Sequence, residues 1–208
     1  MAVLLVGLLA PALAAAAGPA HSLELGGDGR VGGTVGHILA VPMAFALPGG
    51  GAKLKYRLQL NEDWHLRADA RLSLGVDEAG ELGGGYGLLG GVGYCWGDKG
   101  WTRLESELHL GVRSYSLIPV PAIGLHHVWG FYPVRLDWLR WDITLDATTD
   151  LLVIVPYLSA GVSTGLTFSL GWVDLGAEVG AEGGVLIAVL ANLASGAVYA
   201  RGVVGARF

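Results

Sequence analysis

The chain has 208 residues, of which 52% are hydrophobic and only 15% charged, against about 25% charged in an ordinary soluble domain; the length suits one domain, the balance does not suit a typical soluble enzyme. Its 35 glycines are roughly double the usual share, yet 8 prolines and the lack of a Gly-X-Y period exclude collagen-like and disordered low-complexity chains. A net charge of -5 gives no basic footprint for nucleic acid, and the single cysteine, Cys95, excludes an intrachain disulfide framework and a cysteine-rich metal site.

From the N-terminus, Ala2 to Ala17 run without a charge, and small residues follow through Gly18, Pro19 and Ala20. This is the apolar core and cleavage region of a secretory signal, although no Lys or Arg precedes it. Residues 1–20 are therefore expected to be a cleavable signal peptide and residues 21–208 the mature domain.

Four later stretches, Val31 to Ala52, Ser114 to Val134, Leu151 to Val173 and Gly183 to Ala200, lack charge and are long enough for membrane helices. They are rich in Gly, Pro, Ser and Thr, and the segments around them alternate with period two. One strand is expected within Val31 to Leu47. Lys53 to Leu60 sets Lys53, Lys55, Arg57 and Gln59 against Leu54, Tyr56, Leu58 and Leu60. Trp64 to Asp77 is the clearest case, with His65, Arg67, Asp69 and Arg71 facing one way and Trp64, Leu66, Leu72 and Leu74 the other. Leu82 to Trp96 turns mostly glycine to one face, and Cys95 is expected to point inward with it. In Thr102 to Tyr115 the ionic set is Arg103, Glu105, Glu107, His109 and Arg113, opposed by Leu104, Leu108, Leu110 and Val112.

Pro121 to Tyr132 and Val134 to Ala147 follow, joined by a turn at Pro133, with a phase slip near Trp138 that suggests a bulge. Leu151 to Thr167 is next. Leu170 to Gly183 places Asp174, Glu178 and Glu182 opposite Val173, Leu175 and Val179, and Ala194 to Phe208 places Tyr199, Arg201 and Arg207 opposite Val198, Ala200 and Val204. The count is about ten strands, with eight to twelve allowed.

On helices these charges would face lipid at several kcal/mol each, whereas strands send them to one side of a sheet. A soluble barrel would turn its apolar face inward, and the mean hydropathy of +0.52 fits a barrel facing lipid better. The fold is thus read as all-β, a transmembrane antiparallel up-and-down β-barrel; a helical polytopic membrane protein is the alternative. Its lumen is expected to receive Arg57, Arg67, Asp69, Arg71, Arg103, Glu105, Glu107, His109, Arg113, Asp174, Glu178, Glu182 and Arg201. With Phe208 on the periplasmic side, the turns there are Asn61 to Asp63, Gly97 to Gly100, Phe131 to Pro133 and Ser169 to Gly171. Trp64, Trp96, Trp101, Trp129, Trp172 and Phe208, with Phe131, Tyr132 and Phe168, then form an interfacial girdle at that end.

An apolar leader, period-two segments, tight turns and a final strand ending Ala206-Arg207-Phe208 resemble the small bacterial outer-membrane β-barrel proteins over the whole mature chain. The resemblance is to the porin-like class and not to one family. It implies outer-membrane lipid as surroundings and insertion by the barrel assembly machinery, which reads the last strand and its terminal aromatic.

No catalytic, cofactor or metal site is expected. The lipid-acting enzymes of this class commonly carry His-x-Ser, which is missing here, and Ser106 faces outward while the nearby His109 faces inward. The catalytic Asp and His residues of the omptin proteases lie near the extracellular rim, where this chain offers only short connections such as Asp77 to Glu81 and Thr148 to Asp150. His126 and His127 are adjacent on a strand and so face opposite sides, unsuited to one metal ion. Glu105 and Glu107 share a face as acid/base pairs do, but Arg103 and Arg113 supply simpler ion pairs. The glycine runs lack the Lys-Ser/Thr ending of a phosphate loop. The expected role is non-enzymatic: porin-like passage of small solutes, or envelope structure. An outer-membrane enzyme acting on lipid is the alternative. Inside the barrel, Arg67, Gly91 and Glu105 are expected in one row, with glycine leaving room for an ion pair between alternate strands, and Arg71, Gly87 and His109 in another.

Overall fold

The structure, a computed structural model, describes residues 20–38, 41–76, 82–98, 100–115, 118–152, 155–187 and 191–208. The expected signal peptide and the connection Asp77 to Glu81 lie outside them, Ala20 excepted. Ten strands run in chain order: β1 His21–Ile38, β2 Val41–Gln59, β3 Trp64–Val76, β4 Leu82–Asp98, β5 Thr102–Tyr115, β6 Ile118–Arg135, β7 Leu139–Leu152, β8 Val155–Leu170, β9 Val173–Ile187 and β10 Ala191–Arg207. Each pairs antiparallel with its chain neighbours, and β1 pairs with β10 to close the barrel. Strands of 13 to 19 residues tilted as in membrane barrels rise about 30–45 Å, enough for a hydrocarbon core of about 30 Å.

Polarity is inverted relative to a soluble protein. Among the described residues the buried polar side chains are His65, Glu105, Glu107, His109, Ser114 and Asp150, whereas the buried hydrophobic ones are only Cys95, Ala122 and Ala206. Leucine and valine crowd the outside: Leu88, Leu110 and Val198 are each at least 60% exposed. A continuous apolar exterior of this kind is stable against lipid and would aggregate in water. No helix among the described residues is long and apolar enough to cross a membrane. The crossing is made by strands, whose backbone groups bond along a ladder closed by β1 and β10.

All seven tryptophans, Trp64, Trp96, Trp101, Trp129, Trp138, Trp141 and Trp172, are exposed at the end that carries both chain termini of the barrel. Trp64, Tyr94 and Trp96 interlock edge to face, with ring centroids 4.9 and 5.0 Å apart. Tyr132 does not belong to this girdle. It turns into the lumen, where Arg135 lies 5.2 Å from its ring, because β6 continues in phase past Gly130.

Three sequence expectations need correction. Val31 to Leu47 does not hold one strand: β1 begins ten residues earlier, at His21, and β2 begins at Val41. Inward positions filled by Gly26, Gly32 and Gly36 erase the alternation that would have marked β1. The turn expected at Pro133 lies at Leu136 to Trp138, closed by Leu136 N–H donating to Leu139 O at 2.8 Å. Pro133 sits instead in a ladder irregularity between Phe131 and Val134, so the phase slip read near Trp138 has two separate causes. Thr148 to Asp150 is the last part of β7 and not a connection.

Closure is sealed at the terminus. His21 N–H donates to Phe208 O at 2.7 Å, Phe208 N–H donates to His21 O at 3.0 Å, and the two rings stack 5.7 Å apart. Removing Phe208 unpairs these groups at the seam. Deletion of Phe208 is expected to lower the folded fraction, read as loss of the heat-modifiable band on gels; an unchanged band would contradict the role of the seam.

Candidate functional site: the charged lumen

The barrel encloses a cavity of about 1130 Å³, and each of the thirteen charged positions expected to face the lumen lines it. They are organised in clusters that link alternate strands. Glu107 of β5 is one hub: His65 Nε2–H donates to it at 3.0 Å, His126 Nδ1 lies 3.2 Å away, and Arg67 pairs with it and with Asp69. Arg57 donates to Nδ1 of His65 at 3.1 Å, so that nitrogen is an acceptor and the proton of the ring sits on Nε2. Glu105 is the second hub, bound by Arg57 at 2.6 Å and by Arg103.

A third cluster joins β5 to β7, where Asp150, fully buried, accepts His109 Nε2–H at 2.6 Å and forms an ion pair with Arg113 at 2.9 Å. Glu182 of β9 reaches Arg30 of β1 at 3.2 Å and Arg71 of β3 at 3.1 Å, a chord spanning four strand spacings. Tyr199 O–H donates to Glu178 at 2.7 Å, with Arg201 at 3.7 Å, and Arg207 donates to Asp174 at 2.7 Å near the tryptophan end.

The expected row of Arg67, Gly91 and Glu105 is not formed. Gly91 is indeed opposite Arg67, but on its other side it faces His109, and Arg71 and Gly87 share their row with Arg113. The strands pair as far as Asp98 and Arg103, β4 running two residues into the expected turn, and even after the one-residue bulge between Cys95 and Gly97 this leaves β5 displaced by four residues, so Arg67 pairs with Glu107 instead. Glycine still underlies the link between β3 and β5. A Cβ at Gly93 would collide with the His65 ring and come within 2.9 Å of Glu107 Cγ. The same holds one pair of strands on, where a Cβ at Gly124 would strike Asp150.

Sequence reading passed over Arg30, His65 and Asp150 as site residues. Asp28 and Arg30 stand two apart among glycines, a signal that pattern counting discounts, and Asp150 was lost with its misread strand end. On the outer face, His127 Nδ1 lies 2.8 Å from Ser106 Oγ, which also accepts Trp96 Nε1–H at 2.8 Å. These two residues come from adjacent strands, which His-x-Ser spacing could not reveal. No carboxylate hydrogen-bonds His127 among the described residues. Trp96, Ser106 and His127 thus form one hydrogen-bonded group on the outer face beside the bulge. Among the described residues no group of three or more His, Cys, Asp or Glu is placed to hold a metal ion.

No family model matches the chain, and no curated protein matches it. Among solved structures it is similar to the outer membrane protease OmpT of Escherichia coli, at 8% identity and a TM-score of 0.56, covering 91% of this chain and 97% of that one. It is also similar to an outer membrane channel of Pseudomonas putida F1, at 11% identity and a TM-score of 0.45 over 93% and 97% of the chains. The attachment invasion locus protein Ail of Yersinia pestis follows at 14% and 0.39, over 92% and 99%. The likeness to OmpT shows that the fold is that of outer-membrane β-barrel proteins.

Replacing Gly93 by Leu breaks a buried, hydrogen-bonded charge cluster and is expected to cost about 3 kcal/mol. Gly90 faces lipid with nothing but Arg67 O within reach of a Cβ, at 4.0 Å, so Gly90→Leu should change stability by less than about 1 kcal/mol. Equal unfolding midpoints in a urea titration of the two folded variants would contradict the packing role of Gly93.

Proposed function

We propose that this protein is a non-enzymatic barrel of the bacterial outer membrane that lets small hydrophilic solutes pass. In this reading residues 1–20 are removed on export and the barrel assembly machinery inserts the mature chain into outer-membrane lipid. The observation that carries it is the cavity of about 1130 Å³ lined by charged and hydroxyl side chains. A ten-stranded barrel is far narrower than the 16-stranded porins, and its charged clusters occupy part of the bore, so the pathway suits solutes much smaller than those of large porins. A filled lumen would instead assign the protein an envelope structural role.

Refolded protein in planar bilayers is expected to produce discrete single-channel steps in molar potassium chloride, and Glu182→Gln, which loosens the chord to Arg30 and Arg71, to enlarge them. A membrane that stays electrically silent at high protein load would assign the barrel to structure.

The second reading, an enzyme acting on lipid, is favoured by one observation, the Ser106–His127 contact on the lipid face. A fluorophosphonate probe is expected to leave Ser106 unmodified. Stoichiometric labelling that disappears in Ser106→Ala would replace the channel reading by the enzymatic one.

A further inference from the structure

The interior charges are not spread evenly around the lumen. Among the described residues, β2 and β3 turn five cations inward, Lys53, Lys55, Arg57, Arg67 and Arg71, against one carboxylate, Asp69. The wall from β7 to β9 reverses this, with Asp142, Asp146, Asp150, Asp174, Glu178 and Glu182 against Arg140 alone. In a ring of ten strands β2 stands opposite β7, so the two walls confront each other.

Of the charges left over after pairing, two lysines stand on β2 and Asp146 on β7, with Glu24 of β1 beside Lys55. Lys53, Lys55 and Asp146 line the cavity yet make no hydrogen bond or ion pair among the described residues. Lys53 lies between Gly26 and Arg71 in the ladder, and Lys55 between Glu24 and Asp69, the latter held by Arg67. Asp146 leans over Gly161, where a Cβ would come within 2.6 Å of its Oδ1.

The register fixes their heights. Stepping from Lys53 through β1, β10, β9 and β8 arrives at Arg140 on β7. Stepping from Lys55 the other way, through β3, β4, β5 and β6, arrives at Leu152. Relative to the barrel axis the ladder falls going one way round the ring and rises by an equal amount going the other, so the β7 position level with the lysine pair lies midway between these, at Asp146. Strand spacing and tilt place the two backbones about 20 Å apart, with the lysine and aspartate side chains reaching into the gap.

We infer that the confronting Lys53–Lys55 and Asp146 walls set up a transverse field that favours zwitterionic solutes, those carrying a carboxylate and an ammonium group, over neutral solutes of equal size. The inference rests on the passage reading above. A dipolar ion lines up across the bore with its carboxylate toward β2 and its ammonium toward β7, and gains at both walls. A neutral molecule gains nothing, and an ion of single charge is drawn to one wall and repelled by the other. Low-dielectric walls focus such a field.

The test is swelling of liposomes of neutral phosphatidylcholine containing the refolded full mature chain, in isosmotic triglycine or in its N-acetylated, C-amidated counterpart. Triglycine is expected to enter about threefold faster or more. In Asp146→Asn, and in Lys53→Gln with Lys55→Gln, the ratio should fall toward one while the rate for the blocked peptide stays as in the parent. Heat-modifiable mobility confirms that each variant is folded; for a variant that does not fold, the parent ratio in rising potassium chloride takes its place and should decline as salt screens the field. Equal rates for the two peptides in the parent, or a ratio unmoved by the charge variants or by salt, would overturn the inference and leave passage intact. No swelling with either peptide would overturn passage itself, and the inference with it.

Discussion

A backbone amide in hydrocarbon has no water to bond, and an unbonded one costs several kcal/mol. Every strand of this chain must therefore have two partners, a condition met only when β1 finds β10 and the ring closes. Closure gives each strand a lipid side and a lumen side, and the period-two alternation follows from it. So does the inversion of polarity, in which His65 and Asp150 are wholly buried while tryptophans and leucines lie outside.

Closure also concentrates charge. Strands β3 and β5 each send several ionisable groups into a narrow bore, where an unpaired buried charge is destabilising. Neighbouring inward positions lie on adjacent strands about 4.8 Å apart, and the clusters reach one strand further, from β3 to β5 across β4 and from β5 to β7 across β6. The strand beneath has to be empty, which is the role of Gly93 and Gly124. On β8 the glycines lie between carboxylates instead: Asp146, Gly161 and Glu182 share one row, and Asp142, Gly165 and Glu178 another. Here glycine gives acids room without joining them, and that difference leaves one wall negative.

The alternation made most of the fold legible in the sequence. Trp64 to Asp77 has one face apolar throughout and the other ionic but for Ser73 and Gly75, and strands of that quality point to the class and to about ten strands. Alternation fails where one face is glycine, because a missing side chain is neither polar nor apolar. That is why β1, with Gly26, Gly32 and Gly36 inward, was not recognised from its start at His21. Side-chain face was readable, but register was not: β4 and β5 stay paired as far as Asp98 and Arg103, with β4 running into the turn expected at Gly97 to Gly100, and that slides β5 along β4 and replaces Glu105 by Glu107 as the partner of Arg67, with a one-residue bulge after Cys95 on the way. Bulges carry little local sequence signal, since they are settled by twist and closure of the whole ring. Ser106 and His127 met for the same reason, across a ladder whose register depends on the hairpin between β5 and β6.

Lipid outside and water inside is the claim on which both the packing and the passage of solutes depend. It is tested most directly on β8, whose exposure alternates at every position but Thr164 and which carries no charged residue. Single cysteines would be placed at Leu158, Ser159, Val162, Ser163, Leu166 and Thr167 in a Cys95→Ala background, and exposed in liposomes to a small membrane-impermeant thiol reagent. Labelling of positions 159, 163 and 167, with 158, 162 and 166 protected, is the expected result. Labelling without this period, or protection of all six, would contradict a water-filled barrel spanning a membrane.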